Sequence, residues 1–377
     1  MVSDRSEWQG CPTAKTFPIM IAMAKQSFFM RHWKLLLNLA TLLAVVLLVF
    51  FSRDQLEDTL GNLKHINLWI LALIIPIELL NYHSQTMLYQ RLFRSIGNNL
   101  SYKYLFRTSL ELNFVNHVFP SGGAAGISYF GLRLRRGDQI TGAKATLVQV
   151  MKLALTFLSF EVLIIFGVIA LSVVGKVNGI LVLVAASLST LLLVGNAVFI
   201  YVVGSKSRIN GSFVFVTRVL NRLIRVVRPH SPEVINIDNA KGVFNDFHDN
   251  YQHLRSNWRQ LGMPFVYAFL MNLTEVLAAY VVYLAFRESV NIGAVIIAYA
   301  VANFAGLVSV LPGGVGVYEA LMISVLGSAG IPPGVSLPAT VMYRVVTTII
   351  QVPPGYYFYQ KTLRQTGKPA VEEASHA

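Results

Sequence analysis

The sequence contains seven apolar runs, each about long enough to cross a lipid bilayer, and no other feature constrains the fold as strongly. Their approximate ranges are 35–52, 66–90, 143–174, 179–203, 261–286, 291–311 and 338–360. A transmembrane helix needs about 20 apolar residues. Only 13% of the 377 residues are charged, whereas soluble domains carry about 25% charge. The sequence therefore predicts an all-α polytopic membrane protein and excludes a soluble enzyme.

The net charge of +13 lies mainly in loops beside the apolar runs. This distribution follows the positive-inside rule, so no nucleic-acid partner is expected. It predicts a multi-pass protein of the cell (inner) membrane with two cytoplasmic tails, 1–34 and 361–377. The first tail is expected to include an interfacial helix. Loop 204–260, which is rich in arginine, is predicted to be cytoplasmic and to contact anionic lipid head groups. The alternative for this loop is a connector with one packed face.

Two apolar segments are interrupted by proline and glycine. The first interruption is "FPSGGAAG" (Phe119–Gly126), and the second is "LPGGVG" (Leu311–Gly316). Basic residues lie at both ends of the first segment, and its arms are too short for two crossings. We therefore predict a re-entrant hairpin broken at 120–123, and a second hairpin broken at 312–314. The glycines and prolines concerned are Pro120, Gly122, Gly123, Gly126, Pro312, Gly313, Gly314 and Gly316.

The two halves of the chain show the same order of elements. The first half, 35–174, reads as two spans, a broken hairpin and a span. The second half repeats this order with 179–203 as its first span and 261–360 as the remainder, but it begins on the opposite side of the membrane. About six full spans and two broken hairpins result. Such an inverted repeat is typical of secondary transporters, which bind substrate near midplane between the breaks.

The breaks suit an anionic ligand. Glycine lets the backbone approach a ligand closely, and helix N-termini present amide groups and partial positive charge. A phosphate or a carboxylate would therefore be favoured between them. The alternative is that these small residues only allow tight helix packing.

Seven charged residues fall inside apolar segments, where each costs about 2.5–3.5 kcal/mol by insertion scales. Lys152, Glu319 and Arg344 are predicted to contact substrate, and Glu319 is the nearest plausible partner of Arg344. Four further acids are candidates for proton coupling or head-group contacts, unless they form structural ion pairs: Glu78, Glu111, Glu161 and Glu275. His117 is expected to be a hydrogen-bonded core residue. No catalytic triad, metal-binding spacing or cofactor motif is recognised, so no cofactor or metal is expected.

The sequence resembles a known family at the second break. "LPGGVGVYEA", followed about 25 residues later by "ATVMYRVVT", is similar to the flippase-like transmembrane region of lysylphosphatidylglycerol synthases and their stand-alone relatives. "PSGGAAGISYFGLRLRRGD" resembles the family's first signature. The resemblance covers residues from about 35 to 360 and implies movement of phospholipids, aminoacylated phospholipids, polyprenyl-linked lipids or hopanoid-type lipids between leaflets. The matching positions are Pro120, Gly122, Gly123, Gly126, Pro312, Gly313, Gly314, Gly316, Glu319 and Arg344.

The sequence departs from this family at two places. Members often carry a Glu-Arg pair on the helix after the first hairpin, where this chain has Val150 and Met151, followed by Lys152. The chain also ends soon after its last apolar run, so the synthase activity is not expected. Three functions compete: a flippase with a membrane lipid as substrate, a membrane-embedded enzyme using Glu78, Glu275 and His117, and a non-catalytic partner of a lipid-modifying enzyme.

Overall fold

A computed structural model of the chain describes residues 66–118, 124–137, 140–175, 178–208, 211, 237–308 and 316–365. All of them belong to one of the two compact units into which the chain divides, the unit formed by residues 48–377. The predicted span 35–52, the first tail, residues 366–377 of the second tail and residues 209–210 and 212–236 of the basic loop lie outside the described residues. So do Pro120, Gly122, Gly123, Pro312, Gly313 and Gly314.

The described residues form helices joined by short turns, and they contain no strand. In chain order the helices are α1 Leu68–Leu71, α2 Ile74–Ser95, α3 Tyr102–Val118, α4 Ala124–Gly137, α5 Gly142–Val173, α6 Gly179–Val203, α7 Ile237–Ser256, α8 Gly262–Ala285, α9 Ile292–Val308, α10 Val317–Ser328 and α11 Pro333–Gln365. A 3₁₀ turn, Trp258–Leu261, precedes α8. The all-helical fold is confirmed.

Within the described part of the chain, four helical segments are long and apolar enough to cross a membrane: Gly142–Val173, Gly179–Val203, Trp258–Ala285 and Pro333–Arg364. They confirm the predicted ranges 143–174, 179–203, 261–286 and 338–360 as helices, with α11 longer at both ends. The arms α3 and α9, with 17 residues each, are about 26 Å long at a rise of 1.5 Å per residue. Each is therefore shorter than the roughly 30 Å hydrocarbon core.

The predicted run 66–90 does not form one continuous helix. The short helix α1 ends at Leu71, two turn residues follow, and α2 then continues to Ser95. Pro76 has no amide hydrogen to donate to the carbonyl of Ala72, which instead accepts a hydrogen bond of 3.1 Å from the amide of Ile75. Although α2 has 22 residues, its buried face carries polar side chains, among them Glu78, Asn81 and Gln85.

Three helix pairs organise the interior of the described unit. Helix α2 packs along α8, α3 packs along α11, and α9 packs along α5. Glycines permit the closest approaches. A Cβ added at Gly355 would lie 2.6 Å from both the Leu110 carbonyl oxygen and the Phe114 Cβ, and one added at Gly293 would collide with the carbonyl oxygen of Gly167. Each hairpin therefore packs its first arm closely against the long helix that follows the other hairpin.

Helix α6 lies at the edge of the described helices, and few of its residues are buried: Leu181, Ala185, Leu188, Leu192 and Val203. Its exposed side chains are large and apolar, including Leu183, Leu191, Val194 and Val198. An extended apolar surface of this kind suits contact with lipid tails. The position of α6 thus agrees with a membrane location.

Helix α7, within the predicted basic loop, directs its described apolar face toward the protein. Phe247, Tyr251 and Leu254 are buried in the same core as α5. His248 Nδ1 is 2.9 Å from the carbonyl oxygen of Val203 at the end of α6. This part of the loop therefore has one packed face, and its predicted contact with lipid head groups stays a prediction.

Candidate functional site

A polar cavity of about 240 Å³ lies among the ends and middles of five helices, α3, α8, α9, α10 and α11. Glu275 of α8 lines it, and this residue is 13 positions after Gly262 and 10 positions before Ala285. At 1.5 Å per residue these separations are about 20 Å and about 15 Å. The cavity is therefore close to the middle of a membrane-spanning helix.

The arms that lead to both breaks reach this cavity. Asn116 and His117, within the last three residues of α3, line it together with Asn303 and Gly306, within the last six residues of α9. The breaks themselves lie outside the described residues. The first arms of both hairpins nevertheless converge on one polar cavity, and they place amide and imidazole groups in its wall.

Arg344 and Glu319 form an ion pair at the side of the cavity. Arg344 Nη1 donates to Glu319 Oε1, and the guanidinium carbon lies 5.1 Å from the centre of the Tyr318 ring. Arg344 lines the cavity, whereas the Glu319 side chain is only 6% exposed. The predicted pairing of these residues is confirmed, with the arginine facing the cavity and the acid behind it.

Backbone geometry holds Glu319 in place. Glu319 is the third residue of α10, and its Oε2 accepts a hydrogen bond of 2.7 Å from the amide of Gly316. Gly316 has φ of 87°, a conformation that glycine adopts without steric cost. The acid at a helix N-terminus is also favoured by the helix dipole. Gly316 and Glu319 thus position Arg344 from outside the cavity wall.

Three tyrosines surround the carboxylate of Glu275. The hydroxyl of Tyr343 donates to Glu275 Oε2 at 2.7 Å. The Tyr299 ring packs edge-on against Tyr343 and against Tyr318, with centroid separations of 6.3 Å and 6.4 Å. All three rings line the cavity. The buried Tyr318 hydroxyl has no hydrogen-bond partner among the residues described.

Glu78 lies directly behind the lining residue Gln351. The Nε2 atom of Gln351 donates to Glu78 Oε2 at 3.0 Å, and the Glu78 residue is 1% exposed. One turn along α2, Asn81 donates to the carbonyl oxygen of Met271 and to the hydroxyl of Thr274. These bonds fix the polar face of α2 against α8, which carries Glu275.

Lys152 does not line the cavity. Its Nζ lies 5.1 Å from the centre of the Tyr89 ring, where the ring face attracts the cation. It is within electrostatic range of Glu275. Lys152 therefore lies behind the cavity, on the α5 side, and not in the wall, where a substrate contact was predicted for it.

Glu111 and Glu161 are buried away from the cavity lining. Glu111 accepts hydrogen bonds from Tyr129 at 2.6 Å, Arg133 at 3.1 Å and Thr362 at 2.7 Å. It joins both arms of the first hairpin to α11. Glu161, on α5, faces Ser189 of α6. Neither acid is placed to contact a ligand in the cavity.

Gly126 contributes to packing between the arms of the first hairpin. A Cβ at this position would collide with the side-chain amide of Asn116. Because Asn116 lines the cavity, Gly126 shapes the wall indirectly. Gly126 itself is not in the cavity wall. At this glycine the structure therefore favours the interpretation that small residues allow tight helix packing.

Most residues of the cavity wall were not among the residues predicted from the sequence. The missed side chains share a buried polar or aromatic character on apolar helices, and they include Asn116, Tyr299, Asn303, Tyr318, Tyr343, Thr347 and Gln351. One available signal was the recurrence of Tyr343, Thr347 and Gln351 every four residues along α11, which defines a polar stripe. His117 has the predicted hydrogen bond, 2.9 Å from Nδ1 to the Asn113 carbonyl oxygen, but it also lines the cavity.

Fold and site together define a polytopic helical membrane protein with a polar cavity lined by five of its described helices. The family model described as "Lysylphosphatidylglycerol synthase TM region" matches residues 35–355. The chain belongs to this family, as the two signatures predicted.

Similar proteins are found among archaeal membrane proteins. A UPF0104 membrane protein of Methanothermobacter thermautotrophicus is 33% identical over 97 residues, which are 26% of this chain and 29% of that protein. A longer match to a UPF0104 membrane protein of the same organism is 21% identical over 318 residues, covering 83% and 90% of the two chains. One from Methanocaldococcus jannaschii is 21% identical over 332 residues, covering 85% and 92%.

Proposed function

We propose that the chain is a lipid flippase of the cell membrane, which moves a lipid head group between leaflets through the central cavity by alternating access. The observation that carries this proposal is the convergence of the α3 and α9 ends on one polar cavity near the middle of a span. A polar head group crossing the membrane needs such a wall, because hydrocarbon offers it no hydrogen bonds. Membership of a family connected with membrane lipids supports the same role.

The substrate we propose carries a phosphate. The Arg344 guanidinium offers a planar set of donors that matches phosphate oxygens. It packs on the ring of Tyr318, whose hydroxyl has no hydrogen-bond partner among the described residues. Phospholipids, aminoacylated phospholipids and polyprenyl-linked lipids have this group. Hopanoid-type lipids that lack phosphate would use the tyrosines and Glu275 alone, so they are the weaker candidates.

An inverted repeat would supply the two alternating states. In this proposal α2, α3, α4 and α5 correspond to α8, α9, α10 and α11. The packing of α3 on α11 then corresponds to that of α9 on α5, and the packing of α4 on α5 corresponds to that of α10 on α11. Helices α2 and α8 would lie against each other at the pseudo-two-fold axis. This matched set of contacts supports two re-entrant hairpins related by symmetry.

The proposed sidedness follows from the basic loops, with both termini and loop 204–260 in the cytoplasm. Single cysteines introduced at Ser205 and Ser289, with Cys11 replaced by serine, are expected to react from opposite sides of the membrane. Labelling with a membrane-impermeant maleimide measures this. Labelling of both positions from one side would contradict the proposed topology and the inverted repeat.

Purified protein in liposomes tests the proposed transport directly. Head-group-labelled lipids of each class are placed in both leaflets, and a membrane-impermeant quencher then reports exchange. The proposal predicts protein-dependent exchange of at least one phosphate-bearing lipid. No exchange above protein-free liposomes for every lipid in the panel would contradict it.

A further inference from the structure

A band of polar side chains runs from the cavity toward the end of the bundle where α2 ends and α5 begins. We call it the polar seam, and its members are Gln85, Tyr89, Ser109, Asn113 and Gln149. The Gln85 Nε2 atom donates to Asn113 Oδ1 at 3.1 Å, and the Tyr89 hydroxyl donates to Gln149 Oε1 at 3.2 Å. The seam therefore joins the facing surfaces of α2, α3 and α5.

The seam begins at the cavity. His117 lines the cavity and is hydrogen bonded through Nδ1 to the main chain of Asn113. On α2, Gln85 lies seven residues after Glu78, which is about 10 Å along the helix. The other end of the seam, at Tyr89, is six residues before the end of α2 at Ser95, or about 9 Å. The seam thus covers most of the distance from the midspan cavity to one surface.

Several polar atoms in the seam are buried and lack a protein partner within the described ranges. They are Gln85 Oε1, Ser109 Oγ and Gln149 Nε2. Buried polar groups are satisfied by ordered water when protein offers no partner. These atoms do not reach bulk solvent, since Gln85, Ser109 and Gln149 are at most 9% exposed. A file of water molecules along the seam would satisfy all three.

Two acids, Glu275 and Glu78, lie at the end of the seam that meets the cavity. Glu275 lines the cavity, and Glu78 is close enough to interact with it electrostatically. The ionisable and polar groups that face these acids come from every neighbouring helix: Asn81 and Tyr82 of α2, Lys152 of α5, Tyr299 of α9, Tyr318 of α10, and Tyr343 and Gln351 of α11. His117 of α3 and the Arg344 cation of α11 line the same cavity as Glu275. Arg344 is paired with Glu319, so Lys152 compensates a single negative charge of the Glu78–Glu275 pair.

We infer that the polar seam is a hydrated proton path that connects the Glu78–Glu275 pair to the surface at the α2–α5 end. A proton enters from water at that end, passes between the water molecules of the seam, and converts one carboxylate of the pair to the neutral acid. The same proton returns to water in the cavity when the cavity opens to the other side. Intramembrane acids in chains of polar groups perform such relays in transporters. The inference rests on the proposed transport function and assigns protons as its coupling ion.

The test uses the full chain in vesicles of phosphatidylethanolamine and phosphatidylglycerol that enclose a pH-sensitive dye, with potassium and valinomycin holding the membrane potential at zero. An imposed pH gradient is expected to drive proton entry faster than in protein-free vesicles. Glu275→Gln and Gln85→Met are each expected to reduce this rate at least tenfold. Glu161→Gln, a buried acid outside the cavity and the seam, is the matched control and should keep the wild-type rate.

Ser109→Ala keeps the inference testable if the Glu275→Gln or Gln85→Met protein fails to fold. Its hydroxyl has no described partner, so its loss leaves packing intact, and the proton rate is expected to fall by about threefold, because the file loses one of its water-holding groups. Wild-type rates in both Gln85→Met and Ser109→Ala, or an equal loss in Glu161→Gln, would overturn the inference. Lipid exchange without protein-dependent proton entry would overturn it and leave the proposed function standing. Proton entry without lipid exchange would leave the path standing and contradict the flippase.

Discussion

The first hairpin, α3–α4, and the second, α9–α10, each carry one buried acid paired with an arginine, but the two pairs differ in their surroundings. Glu111 of the first hairpin accepts from Tyr129, Arg133 and Thr362, and it is not part of the cavity wall. Glu319 of the second hairpin holds Arg344, which faces the cavity. The same residue types therefore join helices in one hairpin and present a cation to the cavity in the other.

This difference teaches that a charged residue in a membrane span is not by itself a functional residue. The number of protein donors around the acid separates the two cases. An acid with three donors from two other helices, as Glu111 has, is satisfied by the protein, whereas an acid that orients an arginine toward a cavity leaves donors for a ligand. Predictions on the two hairpins can therefore be ordered by the expected size of their effects on stability and transport.

The largest effect is expected for Glu111→Ala. Removing the carboxylate leaves Arg133 as a mostly buried charge without its partner, which costs about 3–5 kcal/mol of unfolding free energy. Denaturation in detergent micelles, followed by circular dichroism, measures this loss. Glu161→Ala is the comparison, because no salt bridge involves that acid among the described residues. A loss below about 1 kcal/mol for Glu111→Ala would show that the first hairpin does not depend on this acid.

A smaller effect is expected at the two glycines that let the first arm of each hairpin, α3 or α9, pack closely against a long helix. Gly355→Ala and Gly293→Ala each place a methyl group against a main-chain carbonyl, and overpacking of this kind costs about 1–3 kcal/mol. Gly195→Ala on α6 is the matched control. A Cβ there meets no atom within 4 Å, so the change should be neutral or stabilising by up to about 1 kcal/mol. If only one of the two hairpin glycines is sensitive, the proposed correspondence between the hairpins loses its support.

The smallest of these free-energy changes is expected at Arg344, and it should appear in transport rather than in stability. Arg344→Lys keeps a cation beside Glu319 but loses the planar set of donors for phosphate. Lipid exchange is expected to fall at least about tenfold, equivalent to about 1.4 kcal/mol, with a melting temperature close to that of the wild type. Unchanged exchange in Arg344→Lys, or exchange restored by combining Arg344→Ala with Glu319→Ala, would make Arg344 a structural residue.

The same contrast explains how much could be predicted from the sequence. The helices α5, α6, α8 and α11 follow from apolar runs, because burial in lipid requires a continuous apolar surface. The pairing of Glu319 with Arg344 could also be predicted, since a charge in a span needs a partner. The role of Glu111 could not, because Thr362 reaches it from 251 residues away along the chain.

The residues of the cavity wall could not be predicted from the sequence either, and the reason is physical. Tyr299 and Tyr318 have an apolar ring and a polar tip, so each suits a hydrophobic core as well as the wall of a polar cavity. Only the meeting of α9, α10 and α11 distinguishes these cases. The interruption of 66–90, by contrast, could have been predicted from Pro76, which removes one hydrogen bond near the start of a helix.

The most direct measurement of the central claim takes one residue from the end of each first arm, Asn116 of α3 and Asn303 of α9. Asn116→Cys and Asn303→Cys, each in a Cys11→Ser background, are reconstituted and treated with a methanethiosulfonate reagent, and lipid exchange is followed. Ser205→Cys, outside the cavity wall, is the control. If both arms line one lipid pathway, complete modification of either cavity position stops exchange and modification of Ser205→Cys does not. Exchange that continues after complete modification of both cavity positions would contradict the account.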